Sequence, residues 1–162
     1  YAVLRSGSPA SWTPLGGHLG GAGTATMALV ASTAMLVFAR QVAAAPRALR
    51  AGLLSAVLFA IAFCALRLGE WESLVRAGRT PSSSTQMTLY FALTAVHLLH
   101  VVGAAIALVW LAFTIGRAPA PARSAAIVTR VNAVTLFWYF VGVVWLAIFA
   151  LLYVAESLIP NP

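Results

Sequence analysis

The chain has 162 residues, 62% of them hydrophobic and 8% charged, with a formal net charge of +7. An ordinary soluble domain is about one quarter charged, so this composition, with a mean hydropathy of +0.94, excludes a water-soluble globule and defines an integral membrane protein. The ten basic residues are all arginine; they are scattered between apolar runs with no basic stripe, which argues against nucleic acid as a partner and makes them topology signals.

At the amino end Arg5 is followed by Ser, Gly and Pro in place of an apolar run, so no cleavable signal peptide is expected. The start at Tyr1 in place of Met leaves room for residues, even a whole helix, upstream. Gly16, Gly17, Gly20, Gly21 and Gly23 lack a preceding strand and a Lys, which removes a nucleotide-binding loop.

A crossing takes roughly 20 apolar residues, so the length allows four or five spans with short loops. The apolar stretches predict four transmembrane helices, at about 20–39, 51–71, 87–115 and 131–155, packed as one all-α membrane bundle over residues 1–162. The second stretch is charge-free only to Leu66, and it reaches Trp71 if Arg67 snorkels to the interface. Pro46, Gly78 with Pro81, and Pro119 with Pro121 punctuate the connections.

Six arginines (Arg40, Arg47, Arg50, Arg117, Arg123 and Arg130) fall in the first and third loops, against Arg67, Arg76 and Arg79 in the second and Arg5 in the tail. The positive-inside rule then puts both termini outside.

Apolar helices in lipid associate through close packing. Gly20, Thr24, Ala28 and Ser32 form a small-residue stripe on the first helix, and Gly52, Ala56, Ala60 and Cys64 form one on the second. Two readings stand: the stripes hold this bundle together, or one of them docks a partner. Cys64, the single cysteine, rules out a disulfide framework or a cysteine metal site and reads as a small buried residue.

The third span carries Phe91-Ala-Leu-Thr-Ala-Val-His-Leu-Leu-His-Val101, which puts His97 and His100 three apart with Ala104, Ala107 and Leu111 on one inward-facing stripe. A histidine at that depth is either a hydrogen-bonded structural residue or a ligand. A haem clamp needs an axial partner on a facing helix, and the remaining histidine, His18, precedes the first span. Glu70 follows Arg67 by three positions. The simple reading is an intrahelical ion pair near the outer interface, and the alternative is a carboxylate contacting His97 or lining a proton route.

The last span carries Phe137-Trp-Tyr-Phe-Val-Gly-Val-Val-Trp145, with Thr135, Tyr139, Gly142, Leu146, Phe149 and Tyr153 along one face. Trp138 and Trp145 share a neighbouring stripe, to be read as core packing or a subunit contact. The chain shows no nucleophile with a base, no carboxylate pair and no zinc spacing, so the residues alone describe a noncatalytic bundle.

These two segments resemble the last two helices of subunit III of the haem–copper respiratory oxidases, which read roughly Phe-x-x-Thr-Gly-x-His-Gly-x-His-Val and Tyr-Trp-His-Phe-Val-Asp-Val-Val-Trp. Arg67-Leu-Gly-Glu-Trp71 resembles the family's Gln-x-x-Glu-Tyr. The resemblance covers roughly residues 20 to 154 and marks Glu70, His97, His100, Trp138 and Trp145 as family-motif structural positions, with no catalytic, cofactor or metal residue. It departs at Arg67, Ala95, Leu98, Asn132, Tyr139 and Gly142, the last two standing where the family has histidine and aspartate. Longer members carry three further amino-terminal helices, some enclosing a lipid-filled cleft, which this chain as given lacks.

The resemblance implies an accessory subunit in a bacterial plasma membrane. It would lie against a catalytic subunit I and beside subunit II, with haem and copper in those partners and none in this chain, and it would stabilise subunit I, hold phospholipid and support proton uptake. Rival readings are an accessory subunit of a nitric oxide reductase, a small b-type cytochrome or anchor using His97 and His100, and a carrier using Glu70 and His97.

Overall fold

In a computed structural model the protein is described over residues 19–41, 45–117 and 125–154. Four helices follow one another: α1 (Leu19–Gln41), α2 (Pro46–Arg76), α3 (Thr85–Arg117) and α4 (Ala125–Phe149), the last running into a π-helical turn at Ala150–Val154. All four are long and apolar enough to cross a membrane, so the chain is a multi-pass all-α membrane protein, as the sequence implied. His18, Arg5, Arg123 and Glu156 lie outside the described residues.

The helices overrun the expected boundaries, most of all α2 at both ends and α4 at its start. Arginines close a charge-free stretch but not a helix: an α-helix that leaves the hydrocarbon keeps its own hydrogen bonds in the interface, where a guanidinium is hydrated. Arg47, Arg50, Arg76 and Arg130 are therefore helical, not loop, residues. Pro46 opens α2 at a position where its missing N–H costs nothing. Gly78 ends α2 with φ +77°, the left-handed conformation that favours glycine. The Arg79 N–H closes the turn on the Leu74 carbonyl at 2.9 Å, and α3 starts with the Met87 N–H donating to Ser84 Oγ at 3.2 Å.

Sequential neighbours pack together, and α1 also meets α4, closing a four-helix ring. The second-helix stripe serves the bundle: Gly52, Ala56 and Ala60 are buried. A Cβ on Gly52 would lie 2.5 Å from the Cβ of Ala39, so glycine is what lets the two backbones approach. Ser32 Oγ donates to the Ala56 carbonyl at 2.7 Å within the same contact. The first-helix stripe is corrected: Gly20 and Thr24 are exposed, and the buried face runs through Ala22, Ala25, Leu29, Ser32, Leu36 and Ala39. Small residues alone did not mark that face, because leucines take part in it. Around the ring, side chains such as Leu99, Leu136 and Val143 point outward as an apolar shell.

Candidate functional site

The buried charged residues of the bundle gather towards the end where α2 stops and α3 starts. Arg67 lies six residues beyond the midpoint of α2, about 9 Å along the axis, well inside a hydrocarbon layer about 30 Å thick. Its residue is 1% exposed and Glu70 is 8% exposed. The expected intrahelical ion pair forms, and it is buried inside the bundle, so Arg67 does not snorkel outward. A charge at that depth must have partners, and three elements supply them.

Arg67 Nη1 donates to Glu70 Oε2 and, at 3.0 Å, to the Tyr153 hydroxyl, while Nη2 donates to the Tyr90 hydroxyl at 2.7 Å. Both tyrosine hydroxyls in turn donate hydrogen bonds to Glu70 Oε1, at 2.7 Å from Tyr90 and 2.5 Å from Tyr153. Each phenol thus accepts from the cation and donates to the anion, so the network closes on itself. The guanidinium carbon also lies 4.9 Å from the centre of the Trp145 ring, a cation–π contact strengthened by the absence of water.

Local chain geometry explains how the tyrosines arrive. Tyr90 lies on the buried stripe of α3 with Thr94, His97, Val101, Ala104, Leu108 and Leu111, at alternating spacings of four and three. On a regular helix Tyr153 would point well away from Ile148, five residues earlier. The π-helical turn runs its hydrogen bonds from i to i+5 and brings Tyr153 inward beside Leu152, leaving both 1% exposed.

His97 sits next to the cluster and outside its hydrogen bonds. It is 3% exposed, stacks on Trp145 with centroids 5.0 Å apart and meets the edge of Phe63 at 5.8 Å. Its Nε2 and Arg67 Nε have no hydrogen-bond partner among the described residues. Glu70 bonds to the arginine and the tyrosines, not to His97.

The inward stripe through His100 is also corrected. His100 is exposed, its Nδ1–H bonded to the Val96 carbonyl at 2.7 Å. Three residues turn a helix through about 300°, and the buried seam steps from His97 to Val101 and passes His100 by. The two histidines therefore do not converge. Among the described residues no three His, Cys, Asp or Glu side chains gather around one point.

The tryptophan stripe forms the inward face of α4: Trp138 and Trp145 are fully buried. Their indole N–H groups donate to Thr33 Oγ1 at 3.2 Å and Thr26 Oγ1 at 2.9 Å on α1. Tyr139, Gly142 and Phe149, singled out on the neighbouring face, are half-buried, and Leu146 is exposed. Tyr90 was the partner missed in the sequence. Its signal is chemical: an arginine in an apolar run needs acceptors, and a buried phenol needs a partner of its own.

The fold and this site define a class: a polytopic helical membrane protein with one ion pair, Arg67 and Glu70, sealed in its interior. The profile of the family described as Cytochrome c oxidase subunit III matches residues 10–157, and the chain belongs to that family. It is similar to "Cytochrome bo(3) ubiquinol oxidase subunit 3" of Pseudomonas putida, with 31% identity over 59% of this chain and 45% of the relative. It is also similar to "Heme-copper oxidase subunit I+III" of Aeropyrum pernix, with 31% identity over 63% of this chain and 12% of the relative. The "Probable cytochrome c oxidase subunit 3" of Nocardia farcinica is 34% identical over 52% of this chain and 40% of the relative. The chain thus spans less than half the length of these relatives.

Proposed function

We propose that the chain is a noncatalytic accessory subunit of a bacterial haem–copper terminal oxidase, sitting in the plasma membrane against subunit I and beside subunit II. The carrying observation is the family match along residues 10–157. The closed site agrees with it: the carboxylate and the guanidinium already satisfy each other through two phenols, and such a network fixes helices more readily than it turns over a substrate. Glu70, His97, Trp138 and Trp145 are then structural positions that give the bundle its shape, and His100 is a motif position on the outer surface. Haem and copper belong to the partner subunits, and support of proton uptake follows from holding subunit I in shape.

The topology is part of the proposal. With Arg67 paired in the core, its charge no longer counts as a loop signal, and the balance sharpens to six arginines against Arg5, Arg76 and Arg79. Both termini are then on the outer side.

The test is affinity purification of the tagged chain from its native membrane, followed by mass spectrometry, a visible spectrum and gas-uptake assays. A haem–copper subunit I and oxygen reduction are expected. Recovery with a nitric oxide-reducing complex, or a haem spectrum from this chain alone that His97→Ala abolishes, would replace this reading with one of its rivals.

A further inference from the structure

One polar group stands on the outside of the bundle at a depth where lipid offers it nothing. His100 is the middle residue of the 31-residue apolar span Thr85–Ile115, so about 22 Å of helix lies on either side of it, more than half of a hydrocarbon layer about 30 Å thick. The residue is exposed, and its Nδ1–H is held by the Val96 carbonyl at 2.7 Å. The neutral imidazole then carries its lone pair on Nε2, an acceptor for which the described residues supply no donor. A polar side chain within a membrane span faces a bundle interior or a cavity and has a partner. Here that partner must come from outside the described chain.

The surface beside His100 is shaped for close contact. A groove of about 440 Å³ runs between α3 and α4, walled by Val96, His97 and His100 on one side and Phe140, Val144 and Ile148 on the other. Its polar lining consists of the two imidazoles, and His97 is the buried one whose Nε2 has no hydrogen-bond partner. Along α3 the exposed residues Ala92, Val96, His100 and Gly103 follow at intervals of four, four and three, which makes one outward stripe. A Cβ on Gly103 would meet nothing within 4 Å, so packing inside the bundle does not require glycine there. What the missing side chain provides is room for a second backbone to approach from outside.

The occupant must bring an N–H or O–H donor to the middle of the bilayer. Acyl chains have none there, and the backbone N–H groups of a spanning helix are consumed within that helix. A side chain on such a helix remains, from Ser, Thr, Tyr, Asn, Gln or Trp. Helix contacts in lipid combine small residues, which permit close approach, with interhelical hydrogen bonds, and this face presents both. We infer that a transmembrane helix of a partner subunit lies in the α3–α4 groove against Gly103 and donates a side-chain hydrogen bond to His100 Nε2. The inference rests on the proposed function only in needing a partner subunit, and it says which face of the bundle that subunit meets.

Photo-cross-linking of the full chain in its native membrane tests this, with p-benzoylphenylalanine placed singly at exposed Val96 or Phe140 on this face and at exposed Met27 or Leu58 on α1 and α2. Positions 96 and 140 should give the adduct and the other two should not. Mass spectrometry should map it to a transmembrane segment of one co-purifying protein, with a Ser, Thr, Tyr, Asn, Gln or Trp beside the attachment point. His100→Leu should lower recovery of that protein about threefold, the worth of one interhelical hydrogen bond in lipid, while His100→Gln, which keeps an acceptor, should retain it. Gly103→Leu should remove it and leave thermal unfolding of the detergent-solubilised chain unchanged, since the added Cβ meets no atom of the bundle. Adducts with phospholipid alone, adducts from Met27 or Leu58 in place of Val96 and Phe140, or full partner recovery with Gly103→Leu would overturn the inference. The identity of the cross-linked protein reports separately on the oxidase assignment: a helix from a protein other than a haem–copper oxidase subunit removes that assignment and leaves the docking face standing.

Discussion

The two ends of this bundle handle arginine in opposite ways. At one end a single guanidinium is sealed among a carboxylate, two phenols and an indole, with almost no exposed surface. At the other, Arg40, Arg47, Arg50 and Arg130 are exposed, two of them resting over the rings of Phe113 and Trp110 at 5.8 and 5.6 Å. Arg67 lies nearer the middle of α2 than Arg50 or Arg47 does, and the supply of partners is what permits it. A charge with several close partners can be carried into the hydrocarbon region, whereas one without them must stay where water or a headgroup reaches it.

The contrast breaks most visibly if one member of the sealed set is removed. Arg67→Met should destabilise the bundle by about 3–5 kcal/mol, because Glu70 is left as an unpaired charge in the core. Unfolding of the detergent-solubilised protein reads this, and the double variant Arg67→Met/Glu70→Leu should recover most of the loss. A double variant as unstable as the single one would show that the cluster is not a charge-compensated unit. A smaller effect is expected from Tyr153→Phe, about 1.5–3 kcal/mol, since the hydrogen bonds from Arg67 and to Glu70 are lost while the pair remains. Local hydrogen exchange should then rise at the end of α4. The smallest effect sharpens the comparison from the open end: Arg50→Gln should change stability by no more than about 0.5 kcal/mol, and a cost near that of Arg67→Met would mean that the two ends are not distinct.

The four spans were legible because each is a long run with few charges, and that signal depends only on composition. Which way each helix faces was harder to read. In lipid the outward side chains are as apolar as the inward ones, so Leu99 and Leu108 look alike in sequence although the first is exposed and the second buried. Packing stripes of small residues helped at Gly52, Ala56 and Ala60, where backbone contact requires them, and misled at Gly20 and Thr24. The histidine pair suggested one shared face, but three residues fall short of a full turn. The ion pair itself was visible from the spacing of Arg67 and Glu70. Its burial was not, because that depends on two tyrosines contributed by α3 and the end of α4.

The π-helical turn after Phe149 changes the phase of the last helix once, and this gives one continuous segment two separate audiences. Before the turn its indoles address α1; after it, Tyr153 addresses the charges on α2. An uninterrupted α-helical phase could not keep both alignments. Exchanging this helix for one from a relative would therefore have to carry the extra-wide turn along, since a register that seats the tryptophans would otherwise strand the phenol in lipid.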